Sequence, residues 1–224
     1  MCAKAVALAA RPEGMPKTSD FQIVDIESND PADGEIQVKN ICMSVDPYMR
    51  GRMVDRKSYV PPFQIGEPLT GGAIGKVTKS AHPDFKEGDF VSSHWGWRDG
   101  FTARADGIER LGEIVAPASE YLGAIGMPGM TAYAGLLEVG ALKDGETVFV
   151  SGAAGAVGSI VGQIAKLKSC RVIGSAGNDE KVELLTKELG FDSAFNYNDG
   201  NLLGHLRELA PEGIDVYFDN VGAE

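Results

Sequence analysis

Cysteine is scarce: the chain holds Cys2, Cys42 and Cys170, an odd number at wide spacing. A disulfide framework needs pairs, so none is expected, and the thiols read as reduced and buried in a cytoplasmic protein. Histidine is equally thin, with His82, His94 and His205 far apart. A catalytic zinc takes three Cys, His or carboxylate ligands and a structural zinc usually takes closely spaced thiolates, so no metal is expected. Positive charge is short as well: 21 Lys and Arg against 32 Asp and Glu leave a net charge of −11. That sign repels nucleic acid and anionic lipid, which removes both from the expected partners. No stretch approaches the roughly 20 apolar residues of a membrane span. The opening "MCAKAVALAARPEGMP" has no apolar core of secretory-signal length. A G-x-S-x-G turn is missing, which argues against a hydrolase. Internal repeats and low-complexity tracts are also absent.

What is present is an ordinary globular composition, 43% hydrophobic and 24% charged, in a chain of 224 residues that suffices for one large domain or two smaller ones. Residues 1–125 read as β-rich. "AKAVALA", "FQIVDIE", "GEIQVKNICMSV", "GGAIGKVTK", "DFVSSHW" and "DGFTARADGIERL" alternate or run apolar between Pro, Gly, Asn and Asp. They predict a small, irregular β-barrel or sandwich, with Gly71, Gly72 and Gly75 marking bends or close backbone approach. Around residues 114–128 the pattern changes. "MPGMTAYAGLLEVGAL" carries apolar residues at helical spacing and has Gly140 near its end. From there strands and helices alternate: "ETVFVSG", a helix over 155–167, "CRVIGSA", a helix over 179–189 closed by Gly190, "SAFNY", a helix over 202–209, and "IDVYFDNVG". The fold class is therefore α/β, a β-rich first domain followed over 126–224 by a parallel sheet built from crossovers. A full doubly wound sheet has six strands. With the fourth strand just before Glu224, this one is expected to be incomplete, leaving an edge for a missing segment or for a second copy in a homodimer.

The chemistry concentrates in Gly152-Ala153-Ala154-Gly155-Ala156-Val157-Gly158, spaced G-x-x-G-x-x-G. Small residues let a backbone approach a pyrophosphate, and the following helix offers free N–H groups and a positive dipole end. A glycine-rich packing turn without ligand would need the same residues. Its position after a strand and before a helix, inside a βαβ unit, points to a dinucleotide. Gly162 lies one turn beyond Gly158, where it would let the helix sit close on the sheet. The next strand ends in Ser175-Ala176-Gly177-Asn178, without the acid that holds a ribose 2′-hydroxyl in NAD sites. Asp179 and Glu180 fit as first-turn residues behind an Asn178 cap. Lys181 shares that turn, where a cation is electrostatically misplaced. A bound 2′-phosphate accounts for it, and so does a solvated lysine balanced by its two acidic neighbours.

Four stretches, "SVDPYMRGRM" (44–53), "MPGMTAY" (127–133), "GAAGAVGSIVGQIAKLKSC" (152–170) and "DVYFDNVG" (215–222), together resemble the medium-chain dehydrogenase/reductase superfamily. More narrowly they resemble its zinc-independent, NADP-dependent alkenal and one double-bond reductases, the branch of the leukotriene B4 12-hydroxydehydrogenase/prostaglandin reductases and bacterial curcumin reductases. The resemblance implies a GroES-like, β-rich N-terminal catalytic domain and a Rossmann domain, here incomplete. It implies NADPH-dependent reduction of the carbon–carbon double bond of an enone or enal. It carries Gly155, Ala156, Val157 and Gly158 over as the pyrophosphate turn, matches Lys181 to the 2′-phosphate, and matches Tyr197 and Asn220 to further NADP contacts. Where zinc-dependent relatives carry Gly-His-Glu, this chain has "LTGGAIG".

Such a reaction passes hydride to the β-carbon and develops an enolate oxyanion, with reacting atoms about 3–3.5 Å apart. Tyr48 is the candidate donor to that oxyanion, on a turn or short helix after a strand; a packing tyrosine is the alternative. Thr131 is placed near the nicotinamide, or else is a helix-start residue. Arg50 and Arg52 are expected to be solvated or salt-bridged, and Trp95 and Trp97 to pack in the core. A quinone or other enoyl reductase of the same superfamily, or a non-catalytic NADP-binding protein, are the alternatives.

Overall fold

The structure is a computed structural model that describes residues 2–222, with only the backbone of Cys2. It divides into two compact units, Met1–Leu122 and Gly123–Glu224.

In the first unit, β1 (Cys2–Leu8) pairs antiparallel with β2 (Phe21–Glu27). Five more strands form an antiparallel sheet: β3 (Glu35–Met43), β4 (Ala73–Ser80), β5 (Phe90–Ser93), β6 (Gly100–Arg104) and β7 (Glu109–Gly112), in the order β6-β3-β4-β5-β7. The single expected stretch "DGFTARADGIERL" becomes β6 and β7 because Gly107 turns the chain between them at a φ of +74°. Gly75 in β4 faces β3 where the register shifts between Asn40 and Cys42. A Cβ there would lie 2.9 Å from the Lys39 carbonyl oxygen, so the expected close approach is real. Ile36, Val38, Val77, Val91 and Phe101 form one apolar core. Leu8, Met49, Met53, Phe63 and Leu69 form a second, which includes the buried face of the helix α1 (Tyr48–Arg52). Trp97 packs on the second core and stacks on Phe21 at 6.5 Å, whereas Trp95, expected in the core, is 38% exposed and stacks on Phe101 at 5.4 Å from the core's edge.

The second unit opens with α2 (Met127–Tyr133), which widens into a π-helical stretch over Ala134–Val139. Sequence periodicity predicts one uniform helix. Instead Gly140 N–H donates to the Gly135 carbonyl five residues back, and Gly135 lies against the Phe218 ring, where a Cβ would crowd it at 2.8 Å. Then follow β8 (Thr147–Val150), α3 (Ala156–Leu167), β9 (Arg171–Ala176), α4 (Asp179–Lys187), β10 (Ser193–Asn196), α5 (Leu202–Leu209) and β11 (Val216–Phe218). All neighbours pair parallel, in the order β10-β9-β8-β11. That is the order of the first four strands of a dinucleotide-binding sheet. The period of two sorts the two faces. Val148, Val150 and Val172 pack with Val161 and Ala165 of α3, while Phe149, Ile173 and Phe195 pack under Leu202, Leu206 and Leu209 of α5.

Three expectations change. Gly162 does not serve helix–sheet contact alone: the Phe191 ring fills the place its Cβ would occupy and also crowds Gly174 of β9. Cys170 is buried but Cys42 is only half-buried, because its β3 position faces a partly open side of the sheet; both thiols are free. The side chain of Cys2 lies outside the described residues. Arg50 and Arg52 are half-buried, and among the described residues neither is ion-paired. Arg50 donates to the Gly14 carbonyl at 2.6 Å. Arg52 donates to the Pro61 carbonyl and the Thr70 hydroxyl at 3.0 Å and lies over the Phe63 ring. Among the described residues no helix is long and apolar enough to cross a membrane.

The Phe191 wedge predicts a coupled pair. Gly162→Ala is expected to cost about 1–3 kcal/mol by overpacking, against its helix-propensity gain of about 1 kcal/mol. In a Phe191→Ala background the same change should stabilise. Urea unfolding of the two single variants and the double decides it, and equal effects of Gly162→Ala in both backgrounds would contradict the wedge.

Candidate functional site

The turn after β8 is held on both sides. Ser151 N–H donates to the Phe218 carbonyl on the β11 side, and Ala153 N–H donates to the Ser175 carbonyl on the β9 side. Gly152 adopts a φ of +54°, a left-handed conformation that favours glycine. Its carbonyl accepts from Gly155 N–H at 2.9 Å. A Cβ at position 158 would lie 2.7 Å from that same carbonyl oxygen and 2.8 Å from Ala153 Cα, so only glycine lets the first turn of α3 approach this closely. Gly155 is the N-cap, extended at φ −78° and ψ 173°, and no side chain caps the helix. By contrast, Asn178 caps α4 and Asn201 caps α5. A side-chain cap is worth about 1 kcal/mol, and α3 forgoes it. Its first-turn N–H groups, on Ala156, Val157 and Gly158, stay open behind the exposed Gly155 and Ala156. The result is a strip of backbone donors at a positive dipole end, which fits the diphosphate of a dinucleotide.

The expected adenosine-side residues gather at the adjacent strand ends. Lys181 sits exposed in the first turn of α4, its N–H donating to Asn178 Oδ1 at 2.8 Å. Asp179 Oδ1 accepts from Asn196 Nδ2 at 2.9 Å, so it answers to β10 rather than to Lys181. Among the described residues the Lys181 ammonium has no ion-pair partner. Tyr197 follows β10 with its hydroxyl 2.8 Å from where a Gly177 Cβ would stand, and Asn198 Nδ2 donates to the Gly177 carbonyl at 2.8 Å. Gly177 thus brings Tyr197 onto the end of β9, a role that its place in "SAGN" did not reveal.

On the other flank, Asn220 Nδ2 donates to the Ser151 carbonyl at 3.0 Å and its N–H to Ser151 Oγ at 2.8 Å. The Ser151 hydroxyl donates to Asp219 Oδ1 at 2.7 Å. Reading the sequence singled out Asn220 and missed Ser151 and Asp219, although both stand inside the quoted motifs. Thr131 is exposed on α2, which packs on α3, and its hydroxyl donates to the Met127 carbonyl at 2.8 Å.

Tyr48 belongs to the first unit, at the start of α1 behind Pro47. It is half-buried and lines, with Arg52, Tyr59, Val60, Thr70 and His94, a cleft of about 370 Å³. Burial, and next the Asp46 carboxylate, push its phenol above the usual range, against the pull of Arg52. It therefore stays a hydrogen-bond donor throughout the neutral range. Of the three histidines only His94 lies at this cleft: His82 Nδ1 accepts from Asp84 N–H at 3.2 Å and His205 stacks on Phe195 at 4.9 Å. Among the described residues no group of three His, Cys, Asp or Glu could hold a metal ion, so this set does not fit zinc.

Residues 4–111 match the family described as "N-terminal domain of oxidoreductase", and residues 156–224 the family described as "Zinc-binding dehydrogenase". The chain is 46% identical over 229 residues to the 2-alkenal reductase (NADP(+)-dependent) of Nicotiana tabacum, covering 99% of this chain and 66% of that protein. It is 43% identical over 217 residues to the NADPH-dependent curcumin reductase of Escherichia coli (strain K12), covering 97% of this chain and 63% of that protein. Among solved structures it is similar to CurA from Vibrio vulnificus in complex with NADPH, with a TM-score of 0.91 and 42% identity over 99% of this chain and 66% of that one. The chain thus spans 63% to 66% of the length of these relatives.

The Ser151 hydroxyl first, then the Val221 N–H, holds the Asp219 carboxyl down at about 2 from an ordinary 3.8. A depressed folded-state value gives a contribution present above the unfolded pKa and lost as pH falls through the folded one. The clasp is therefore expected to stay ionised through pH 4 and to release near pH 2. An NMR titration of the Asp219 carboxyl carbon checks this, and a midpoint near the ordinary value would contradict the hydrogen-bonded geometry.

Proposed function

The chain belongs to the medium-chain dehydrogenase/reductase superfamily, and on that premise we propose that the protein reduces the carbon–carbon double bond of α,β-unsaturated aldehydes and ketones with NADPH, without zinc. The observation that carries this reading is the uncapped α3 N-terminus over a cradle that admits no side chain at Gly158, with Lys181, which has no ion-pair partner among the described residues, in the first turn of α4. The similarity to the 2-alkenal reductase and the curcumin reductase, both NADP(H)-dependent by name, supports the substrate class and the cofactor.

In this reading Gly155, Ala156, Val157 and Gly158 hold the diphosphate through backbone N–H groups. Lys181 pairs with the adenosine 2′-phosphate, and Tyr197 lies beside it. Asn220 and Thr131 complete the set of NADP contacts. When bound, the nicotinamide supplies the hydride for the β-carbon. Tyr48 donates its phenolic proton in a hydrogen bond to the carbonyl oxygen, on which negative charge grows; its raised pKa keeps that proton in place. The substrate is a small apolar enone or enal. The free thiols fit a cytoplasmic setting.

Titrating the intact protein with NADPH and NADH, then following turnover of a simple 2-alkenal beside a quinone, tests the reading. NADPH should bind more tightly and the alkenal should be consumed faster. A quinone preference would favour a different reductase of the superfamily, and binding without turnover a non-catalytic protein. Lys181→Ala is expected to weaken NADPH by about tenfold and to leave NADH nearly untouched; equal losses for both would refute the phosphate role. Tyr48→Phe should lower kcat by about a hundredfold at unchanged NADPH affinity, and unchanged turnover would remove Tyr48 from the chemistry.

A further inference from the structure

Ser151 is a serine where the packing alone would accept alanine: it is 4% exposed and directly follows the apolar Val148-Phe149-Val150 of β8. Each of its polar groups is directed to one short segment. Its N–H donates to the Phe218 carbonyl, its carbonyl accepts from Asn220 Nδ2, its hydroxyl donates to Asp219 Oδ1, and the same oxygen accepts from Asn220 N–H. Asp219 is fixed in turn, its carboxylate accepting from Val221 N–H at 3.0 Å and from Gly222 N–H at 3.2 Å. The next residue along the chain is Gly152. A Cβ there would meet Val221 Cγ2 at 3.3 Å and Asn220 Cβ at 3.6 Å, so the clasped segment also walls the left-handed turn.

The Gly152 carbonyl is the pivot of the cradle. It accepts from Gly155 N–H, and Gly158 packs against it. Ser151 fixes the peptide on one side of Gly152, and that carbonyl sets the start of α3 on the other. The hydrogen bonds of the Ser151 and Asp219 side chains run to each other and to the N–H groups of Asn220, Val221 and Gly222. We propose that Ser151 and Asp219 are positioning residues for the dinucleotide: their hydroxyl–carboxylate bond holds the Gly152 carbonyl, and through it the α3 N–H groups, in the geometry that receives the diphosphate. This rests on the NADPH reading above and adds to it a requirement for two side chains that touch no cofactor.

The diphosphate is common to NADPH and NADH, so the clasp should serve both alike, unlike Lys181. Fluorescence titration of the intact protein with each nucleotide gives affinity and stoichiometry together. If the wild type binds neither, the cofactor reading fails and this one with it. If the wild type binds, Ser151→Ala should raise the Kd for NADPH and for NADH by a common factor of about tenfold, at unchanged stoichiometry. Ser151→Thr, which keeps the hydroxyl, should return to within about twofold. Asp219→Ala should match Ser151→Ala, and the double variant should lose little more, because one bond is being removed twice. A merely structural serine would lower the stoichiometry and the melting temperature while leaving the Kd of the folded fraction unchanged, and that result overturns the proposal. So does a Ser151→Ala affinity within twofold of wild type, or a loss confined to one nucleotide. Should Ser151→Ala fail to fold, Asp219→Ala, which removes the acceptor of the same bond from the exposed side, carries the test alone: a joint weakening of both nucleotides supports the clasp and no change refutes it.

Discussion

The architecture of the second unit depends on one close contact, that of the first turn of α3 with the Gly152 carbonyl. Gly158 packs against that oxygen closely enough that any side chain would collide with it, and Gly155 N–H is bonded to it. The contact uses backbone on both partners, and with glycine at the N-cap no side chain caps the helix, which leaves its first-turn N–H groups unclaimed. The sheet behind it is apolar on both faces, with Val148 and Val150 under α3 and Phe149 under α5, so the turn rides on a stiff platform.

Charge is distributed consistently with that contact. The chain is acidic, at −11, yet beyond the ends of β8 and β9 stand the α3 dipole and Lys181, which has no ion-pair partner among the described residues. Two of the acids that stand there are engaged: Asp179 by Asn196, and Asp219 by Ser151 and the following N–H groups, while Glu180 lies beside Lys181 in the first turn of α4. In the first unit the half-buried Arg50 and Arg52 tie loops through backbone carbonyls.

Much of the fold was legible because its signals are local. The apolar runs around Val148, Val172 and Phe195, each followed by a helical period, specify a parallel sheet, and the glycine spacing marks the turn between β8 and α3. The helix over Leu202–Leu209 stands where periodicity puts it. Less legible were features made by chain segments far apart. The widening at Ala134–Val139 depends on Phe218 pressing Gly135, and apolar spacing cannot tell that from a regular helix. Gly162 reads as a helix–sheet contact until Phe191 is seen occupying its Cβ position. Lys181 was legible as a misplaced cation, but its lack of a partner emerges only once Asp179 is seen bonded to Asn196.

By itself the sequence determined the order of strands and helices, the glycine that must lie at 158, and the absence of a metal-ligand spacing, because each is written in residue type and near-neighbour period. The tertiary structure alone decided that Ser151 meets Asp219, 68 residues away, and that Tyr197 rests on Gly177. Such contacts join residues whose chain separation carries no period. Their energy comes from hydrogen bonds and packing that exist only once β8, β9, β10 and β11 lie side by side.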